Sequence, residues 1–331
     1  PYLMGASPAI CKSFTGGQDL GFESFSKHTY YTPYATSLRM SDIGYKNNAQ
    51  AALNISYNNL DAYVDTLRTA INTPDPEYAR IGTYVEGEWR QLNTNILQIE
   101  NEYYSFVRPK AIAKSGEQPT IALNRAGVEY VEIRALDLNP FEPIGVNAQQ
   151  LEFLEVLLLL CLLEDSPPID SAEQSHINAN QGLVARNGRD PNLTLYRGDG
   201  NRVRLRDWAA ELLDAMNGPA ELLDEVHGDA RYRHTLTAFR ERVSHPELTP
   251  AAQILGEMRA NKEEFVEFGK RLSNRHADNL RHHALKSQDF AAMTVEAQES
   301  IAEQHSLEAM DAPSFETYLQ NYFAQKPTAG S

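Results

Sequence analysis

GVEYVEIRALDL, residues 127–138, decides how the rest of the chain is read. Strand residues point alternately to the two faces of a sheet. One face therefore collects Tyr130, Glu132 and Arg134, and the other Val131, Ile133 and Ala135. A carboxylate and a guanidinium one strand repeat apart, backed by aliphatic side chains, describe a half-buried strand. The stretch 92–110, LNTNILQIENEYYSFVRPK, repeats the arrangement: Leu97 and Ile99 fall on one face, and Gln98, Glu100, Glu102, Tyr104 and Arg108 on the other. Two explanations fit two such strands side by side. One is a solvated sheet face carrying cross-strand ion pairs, each worth about 0.2–1 kcal/mol. The other is a site in which carboxylates hold a hard dication and arginine steadies a transferring phosphoryl group.

Composition narrows the partners. With 331 residues the chain is long enough for a large α+β unit with a real core. Its 45 acidic and 30 basic residues give a formal charge of −15, which repels phosphate backbones and anionic lipid and argues against nucleic-acid or membrane binding. The two cysteines, Cys11 and Cys161, belong to no CxxC or metal-spaced set, as expected for a reducing, cytoplasmic compartment. The apolar run from Val156 to Leu163 is too short to cross a bilayer and reads as a buried core helix. Cys11 reads as a small packed residue rather than a nucleophile. The opening PYLMGASPAIC has no initiator methionine and reads as mid-domain loop sequence, so the natural chain is expected to begin further upstream.

The organisation changes near residue 147. Before it lie the strand-like stretches 29–40, 92–110 and 127–138, and a helix, NNLDAYVDTLRTAIN, with Leu60, Tyr63, Val64, Leu67 and Ile71 at helical spacing. After it the pattern is almost wholly helical. Asn147 with Gln150 forms a capping box for a helix that DSPPID ends, and further helices are expected over 172–187, 206–216, 231–244, 250–285, 290–309 and in SFETYLQNYF. Residues 1–146 are thus read as a sheet-containing catalytic portion and 147–331 as a helical portion packed on it, in one structural unit. No P-loop, GxGxxG or GxSxG motif occurs. His276, His282 and His283 cluster without a carboxylate or cysteine to complete a ligand set, and read as a solvated surface.

PYLMGASPAICKSF, YYTPYATSLRMSDIGYKN, LQIENEYYSFVRPK and GVEYVEIRALDLNPFEPIGV, in that order, resemble the glutamate-cysteine ligases of gamma-proteobacteria, strongly from residue 1 to about 165 and more loosely beyond. The resemblance implies an α+β fold with a glutamine synthetase-like antiparallel sheet forming an open funnel, incomplete here, followed by the largely helical region. It implies ATP-dependent joining of the L-glutamate side-chain carboxylate to L-cysteine through γ-glutamyl phosphate, with Mg²⁺ as cofactor and Mn²⁺ as its substitute. Related ligases with another amine acceptor, and a non-catalytic fragment, are the alternatives.

Carried over residue by residue, the resemblance implies a metal ligand at Glu132 and a catalytic, phosphate-contacting arginine at Arg134. It also implies substrate positions at Arg39, Tyr45 and Tyr104, where a guanidinium can pair with a carboxylate and two phenols can wall a small pocket. Arg108 is a candidate ATP contact; Glu100 and Glu102 are candidates to approach the metal or orient Arg134. Ser7, Pro8 and Gly5 are expected to shape a loop beside the site, and Arg125 is read as a helix-end cation. The family's N-terminal segment has no counterpart here, and Glu132 alone cannot satisfy cations that want about six oxygens. The piece by itself is therefore expected to be weak or inactive until that segment completes the site.

Overall fold

The computed structural model describes residues 1–44, 53–198 and 200–326. In chain order its elements begin with β1 (Ala9–Cys11), β2 (Glu23–Ser24) and β3 (Thr29–Tyr31), then helices α1 (Leu60–Asn72) and α2 (Pro76–Ile81). The hairpin β4 (Tyr84–Val85) and β5 (Glu88–Trp89) follows, then β6 (Val107–Lys110), α3 (Pro119–Ala126) and β7 (Tyr130–Ile133). Next come α4 (Ala148–Leu163), α5 (Ser171–Asn187), and a second hairpin of β8 (Thr194–Tyr196) and β9 (Arg202–Arg204). The remainder is helical: α6 (Leu205–Ala215), α7 (Asn217–His227), α8 (Arg231–Ser244), α9 (Pro250–Asn261), α10 (Phe265–His282), α11 (Ser287–Glu308) and α12 (Phe315–Phe323). This is the α+β class read from the sequence. Its sheet material lies in separate antiparallel pieces: β1–β3–β2, β4–β5, β6–β7 and β8–β9.

Several helices start where the sequence says. Asn59 caps α1 by accepting from the Ala62 amide, and Tyr63, Val64, Leu67 and Ala70 turn inward at helical spacing. They pack with Leu97, Ala122 and Leu123 into one apolar cluster. Asn147 and Gln150 form the expected reciprocal capping box of α4. A larger cluster joins Tyr2 and Leu3 to Phe153, Val156 and Leu160 of α4 and to Leu236 and Phe239 of α8, with the Phe153 and Phe239 rings stacked at 4.2 Å. A third sets Ala6 and Ala9 against Ile254, Leu255, Met258, Phe268 and Leu272 of α9 and α10.

Hydrogen bonds also stitch distant segments. The amides of Thr36 and Ser37 donate to the Ala185 carbonyl at 3.0 and 3.1 Å, and Thr36 Oγ1 donates to the Val184 carbonyl at 2.7 Å. Arg189 Nε and Nη2 donate to the carbonyls of Ala35 and Pro33. The C-terminal end of α5 thereby fixes the course of residues 33–37.

Four expectations need correction. The strand over 92–110 exists only at Val107–Lys110, because Glu100–Glu102 forms a turn of 3₁₀ helix and side chains capture the backbone amides before it. Asn93 accepts from the Asn95 amide and Glu102 from the Gln98 amide, which removes both from any ladder. The strand over 29–40 likewise stops at Tyr31, and Leu38–Met40 is a 3₁₀ turn. The helix over 250–285 is two helices, broken where Lys262 takes a left-handed φ of 54°. The run 156–163 is not a buried helix: Val156 and Leu160 are buried, while Leu162 and Leu163 are 80% and 64% exposed.

Candidate active site

In β6–β7, Val107, Arg108, Pro109 and Lys110 stand opposite Ile133, Glu132, Val131 and Tyr130. Arg108 and Glu132 are therefore direct cross-strand partners. Arg108 Nε and Nη2 both donate to Glu132 Oε2, at 3.0 and 2.8 Å, and Nη1 donates to the carbonyls of Asn101 and Tyr103 at 3.2 and 3.3 Å. Only 7% of Arg108 is exposed, so it is an internal brace rather than an arm reaching for nucleotide. The brace ties the 3₁₀ turn at 100–102 to the strand and fixes the Glu132 carboxylate through one of its two oxygens.

The ladder continues one step past β7, where the Arg134 amide donates to the Phe106 carbonyl. Arg134 thus keeps the face of Glu132. Its guanidinium lies 5.7 Å from the centre of the Tyr104 ring, a cation–π geometry. Arg134 and Tyr104 line a cavity of about 390 Å³ together with Tyr57, Tyr103 and residues of α5. Gln174, Asn178 and Gln181 of α5 also line it, spaced so that one helix face presents all three amides.

Tyr57 enters because its hydroxyl donates to the Val107 carbonyl at 2.8 Å, pinning the first residue of β6. Asn58 beside it pairs through both amide atoms with the backbone of Ile169, at 3.0 and 2.8 Å, joining the cavity's two walls. Burial first, then neighbouring Tyr57, pushes the Tyr103 phenol up, so it stays neutral near pH 7.

Arg39 is not among the cavity's lining residues. Its Nε meets Asp137 Oδ1 at 2.6 Å, and its Nη2 donates to the carbonyls of Arg134 and Leu136 at 3.2 and 3.0 Å. Asp137, 4% exposed, accepts from the Ala6 amide through Oδ2. Arg39 therefore holds the backbone of residues 134–137 in place. The expected loop role of GASPA has a steric basis: a Cβ on Gly5 would lie 2.5 Å from the carbonyl oxygens of Pro1 and Thr36. Tyr45 lies outside the described residues.

Glu100 leaves the site altogether. It is 3% exposed and accepts from Thr120 Oγ1 of α3 at 2.7 Å. Arg125 sits in the last turn of α3 and pairs with Glu117 at 2.9 Å, as a helix-end cation would. His276 is not solvated as expected, since its Nε2 donates to the Pro140 carbonyl at 2.8 Å. Among the described residues, no group of three or more His, Cys, Asp or Glu side chains is placed to hold a metal ion, and no helix is long and apolar enough to cross a membrane. Glu132 can offer such an ion Oε1, the oxygen outside the Arg108 pair. The described residues do not by themselves fit a complete six-oxygen site.

The sequence reading missed Tyr57 and the α5 amides. Tyr57 follows a stretch with no periodic pattern. The amides carried a signal, the i, i+4, i+7 spacing of Gln174, Asn178 and Gln181 on a helix of little amphipathic character.

Comparison with known proteins gives the class and then the family. The chain superimposes on a 2.0 Å crystal structure of glutamate–cysteine ligase from Francisella tularensis in complex with AMP, with a TM-score of 0.89 and 36% identity, covering 98% of this chain and 64% of that one. A bifunctional glutathione synthetase from Pasteurella multocida shares the fold at a TM-score of 0.58 and 20% identity, over 84% of this chain and 30% of that one. Residues 1–184 match the family model for glutamate-cysteine ligase. The chain is 47% identical over 323 residues to the glutamate–cysteine ligase of Pseudomonas paraeruginosa, covering 98% of this chain and 61% of the relative. Against that of Alcanivorax borkumensis it is 46% identical over 331 residues, covering 97% and 62%. The chain belongs to the glutamate-cysteine ligase family, and it spans about three-fifths of the length of these relatives.

Proposed function

We propose that this chain carries part of the catalytic machinery of an ATP-dependent glutamate–cysteine ligase. Residues 1–146 are the catalytic portion, and residues 147–331 pack on them within the same unit. In the reaction the side-chain carboxylate of L-glutamate attacks the γ-phosphorus of ATP and releases ADP. The amine of L-cysteine then displaces phosphate from the acyl phosphate, giving γ-glutamylcysteine for glutathione synthesis in the cytoplasm. The observation that carries this reading is the cavity beside the braced strand pair, where Tyr104 and Arg134 line a space of about 390 Å³ in a chain of this family.

The chain's own residues have separable tasks. Arg134 offers a fixed positive charge to transferring phosphate, and the Tyr104 ring limits where that charge can swing. Tyr104 and neutral Tyr103 wall the space for a small thiol side chain. Arg108 and Arg39 act as braces, one orienting Glu132 and the other holding the backbone of residue 134. Mg²⁺, or Mn²⁺ in its place, would neutralise phosphate charge when bound. Glu132 would supply one oxygen toward it, beside water and substrate phosphate oxygens.

The test is ADP release with L-glutamate and L-cysteine. The assay compares the 331-residue chain alone with the same chain joined to the part of the Pseudomonas paraeruginosa ligase that it does not match. The joined protein should release ADP only when both amino acids are present, and the chain alone should be at least ~100-fold slower. Glu132→Gln and Arg134→Ala should each cut kcat of the joined protein by about 10²-fold or more. No ADP from the joined protein would refute the ligase reading, and parental turnover in Glu132→Gln would refute the metal assignment.

A further inference from the structure

Helix α11 runs for 22 residues with no buried side chain, and α12 beyond it returns to the sheet-containing half of the chain. None of the three apolar clusters described above includes a side chain from either helix. What holds α12 is a specific set of contacts. The Phe315 ring meets Trp89 of the β4–β5 hairpin edge to face at 5.3 Å, and Leu319 is buried. Gln325 Oε1 accepts from the Gln118 amide at 3.1 Å, Gln325 Nε2 donates to the Gly116 carbonyl at 2.8 Å, and Gln118 Nε2 donates to the Tyr322 carbonyl at 2.8 Å. Gln118 is the N-cap of α3, so α12 supplies a partner to one of the amides that open that helix. Thr120, two residues on, holds Glu100. The Tyr322 phenol lies against the same Glu100 carboxyl; burial first, and then that carboxyl, push the phenol up and keep it neutral. Glu100 Oε2 is buried with no partner in hydrogen-bonding geometry, so closer approach of the phenol is favoured.

Glu100 begins the turn of 3₁₀ helix that delivers Tyr103 and Tyr104 to the cavity. Arg108 grips that turn from the strand side, at the Asn101 and Tyr103 carbonyls. From the other side it is gripped at Glu100, by α3 and α12. We propose that α12 is a strap that positions the acceptor wall: docked on α3 and Glu100, it fixes the turn and with it Tyr103 and Tyr104, and Tyr322 is the positioning residue. The ligand served is the amino acid that receives the glutamyl group, so the inference rests on the reading of that cavity as the acceptor site. The phosphate side is set differently. The backbone of Arg134 is placed by its own amide on the Phe106 carbonyl and by Arg39 on its carbonyl, and neither partner belongs to α3 or α12. Loss of the strap should therefore weaken acceptor binding more than the phosphoryl step. Because α12 adds nothing to the three clusters, that loss should leave the fold standing.

The strap is measurable on the 331-residue chain without turnover. The Glu102 and Tyr103 amides close the turn on the carbonyls of Ile99 and Glu100. By hydrogen exchange they should open at least ~10-fold more readily when residues 311–331 are deleted. In Tyr322→Phe the increase should be ~5-fold, the size expected when one polar contact to a buried carboxyl is lost. The Leu236 and Phe239 amides of α8 should keep the parental rate in both variants. In the joined protein the deletion and Tyr322→Phe should raise KM for L-cysteine by at least ~10-fold and ~5-fold, with kcat and KM for ATP within ~3-fold of the parent. Unchanged exchange at residues 102 and 103 overturns the proposal, and so does equal acceleration in α8, which would mean general loosening. Faster exchange with an unchanged KM for cysteine overturns the positioning role. Faster exchange in variants of a joined protein that releases no ADP would uphold the hold of α12 on the turn while refuting the ligase reading.

Discussion

Replacing Arg108 by methionine tests the central geometric claim, that this residue is an internal brace for Glu132. The change keeps the length of the aliphatic stem and removes the charge. It strips two hydrogen bonds from Glu132 Oε2 and two from the carbonyls of Asn101 and Tyr103. Removing one member of a fully buried ion pair costs about 3–5 kcal/mol. The Glu132 side chain is 36% exposed, so water recovers part of that loss and the expected cost falls to about 2 kcal/mol. An unfolding entropy of about 2.1 cal/mol/K per residue gives about 0.7 kcal/mol/K for 331 residues, so the midpoint should drop by about 3 °C. Urea unfolding of Arg108→Met, Glu132→Gln and the double variant forms a cycle. Because the double variant carries no orphaned carboxylate, its loss should be about 1 kcal/mol smaller than the sum of the two single losses. A single-variant cost below about 0.5 kcal/mol, or strict additivity, would show that Arg108 does not hold Glu132.

Phe239→Ala should cost about 3–5 kcal/mol in the same assay, since the ring is fully buried and stacked on Phe153; a loss below about 1 kcal/mol would contradict the packing described. Gly5→Ala should cost at least about 1–3 kcal/mol, because its methyl would meet two backbone oxygens at 2.5 Å, and parental stability would mean the Pro1–Thr36 approach is not so close. The Glu117 carboxyl, held down first by its hydrogen bond to Arg125 and next by the Lys114 amide, should titrate at about 2 by NMR. Because its folded value lies below the usual 4.5, the stabilisation is complete above pH 4.5 and is lost as pH falls toward 2; Arg125→Gln should return the carboxyl toward its ordinary value. Tyr104→Ala in the joined protein should raise KM for cysteine ~10-fold or more with a smaller effect on KM for ATP, and an unchanged KM for cysteine would remove Tyr104 from the acceptor pocket.

How far the sequence could be read depended on whether local chemistry or distant contacts decided each element. Helix α1, the Asn147 cap and the start of α9 at Pro250 were legible because caps and 3.6-residue stripes act within a few residues. The period-two pattern over 92–110 misled because Asn93 and Glu102 offer the backbone amides closer partners than a neighbouring strand could. Helix α7 was missed because Asn217, Gly218 and Pro219 look like a break, although proline is tolerated in a first turn. At the site, the alternation correctly put Glu132 and Arg134 on one face. It could not show that Arg108 stands opposite Glu132, since register depends on a partner strand more than twenty positions away. The same limit hid the pairing of Arg39 with Asp137, which lies 98 positions along the chain.

The stitching of residues 33–37 to Val184, Ala185 and Arg189 has a consequence for synthesis. Those bonds close a span of about 150 residues, and Ala6 and Ala9 pack against α9 and α10 farther on still, so the early part of the chain lacks its full set of distant partners until α10 has left the ribosome. Nascent chains arrested before that point should be cut readily by protease within residues 1–44. Arrest beyond residue 282, once the exit tunnel is cleared, should protect them.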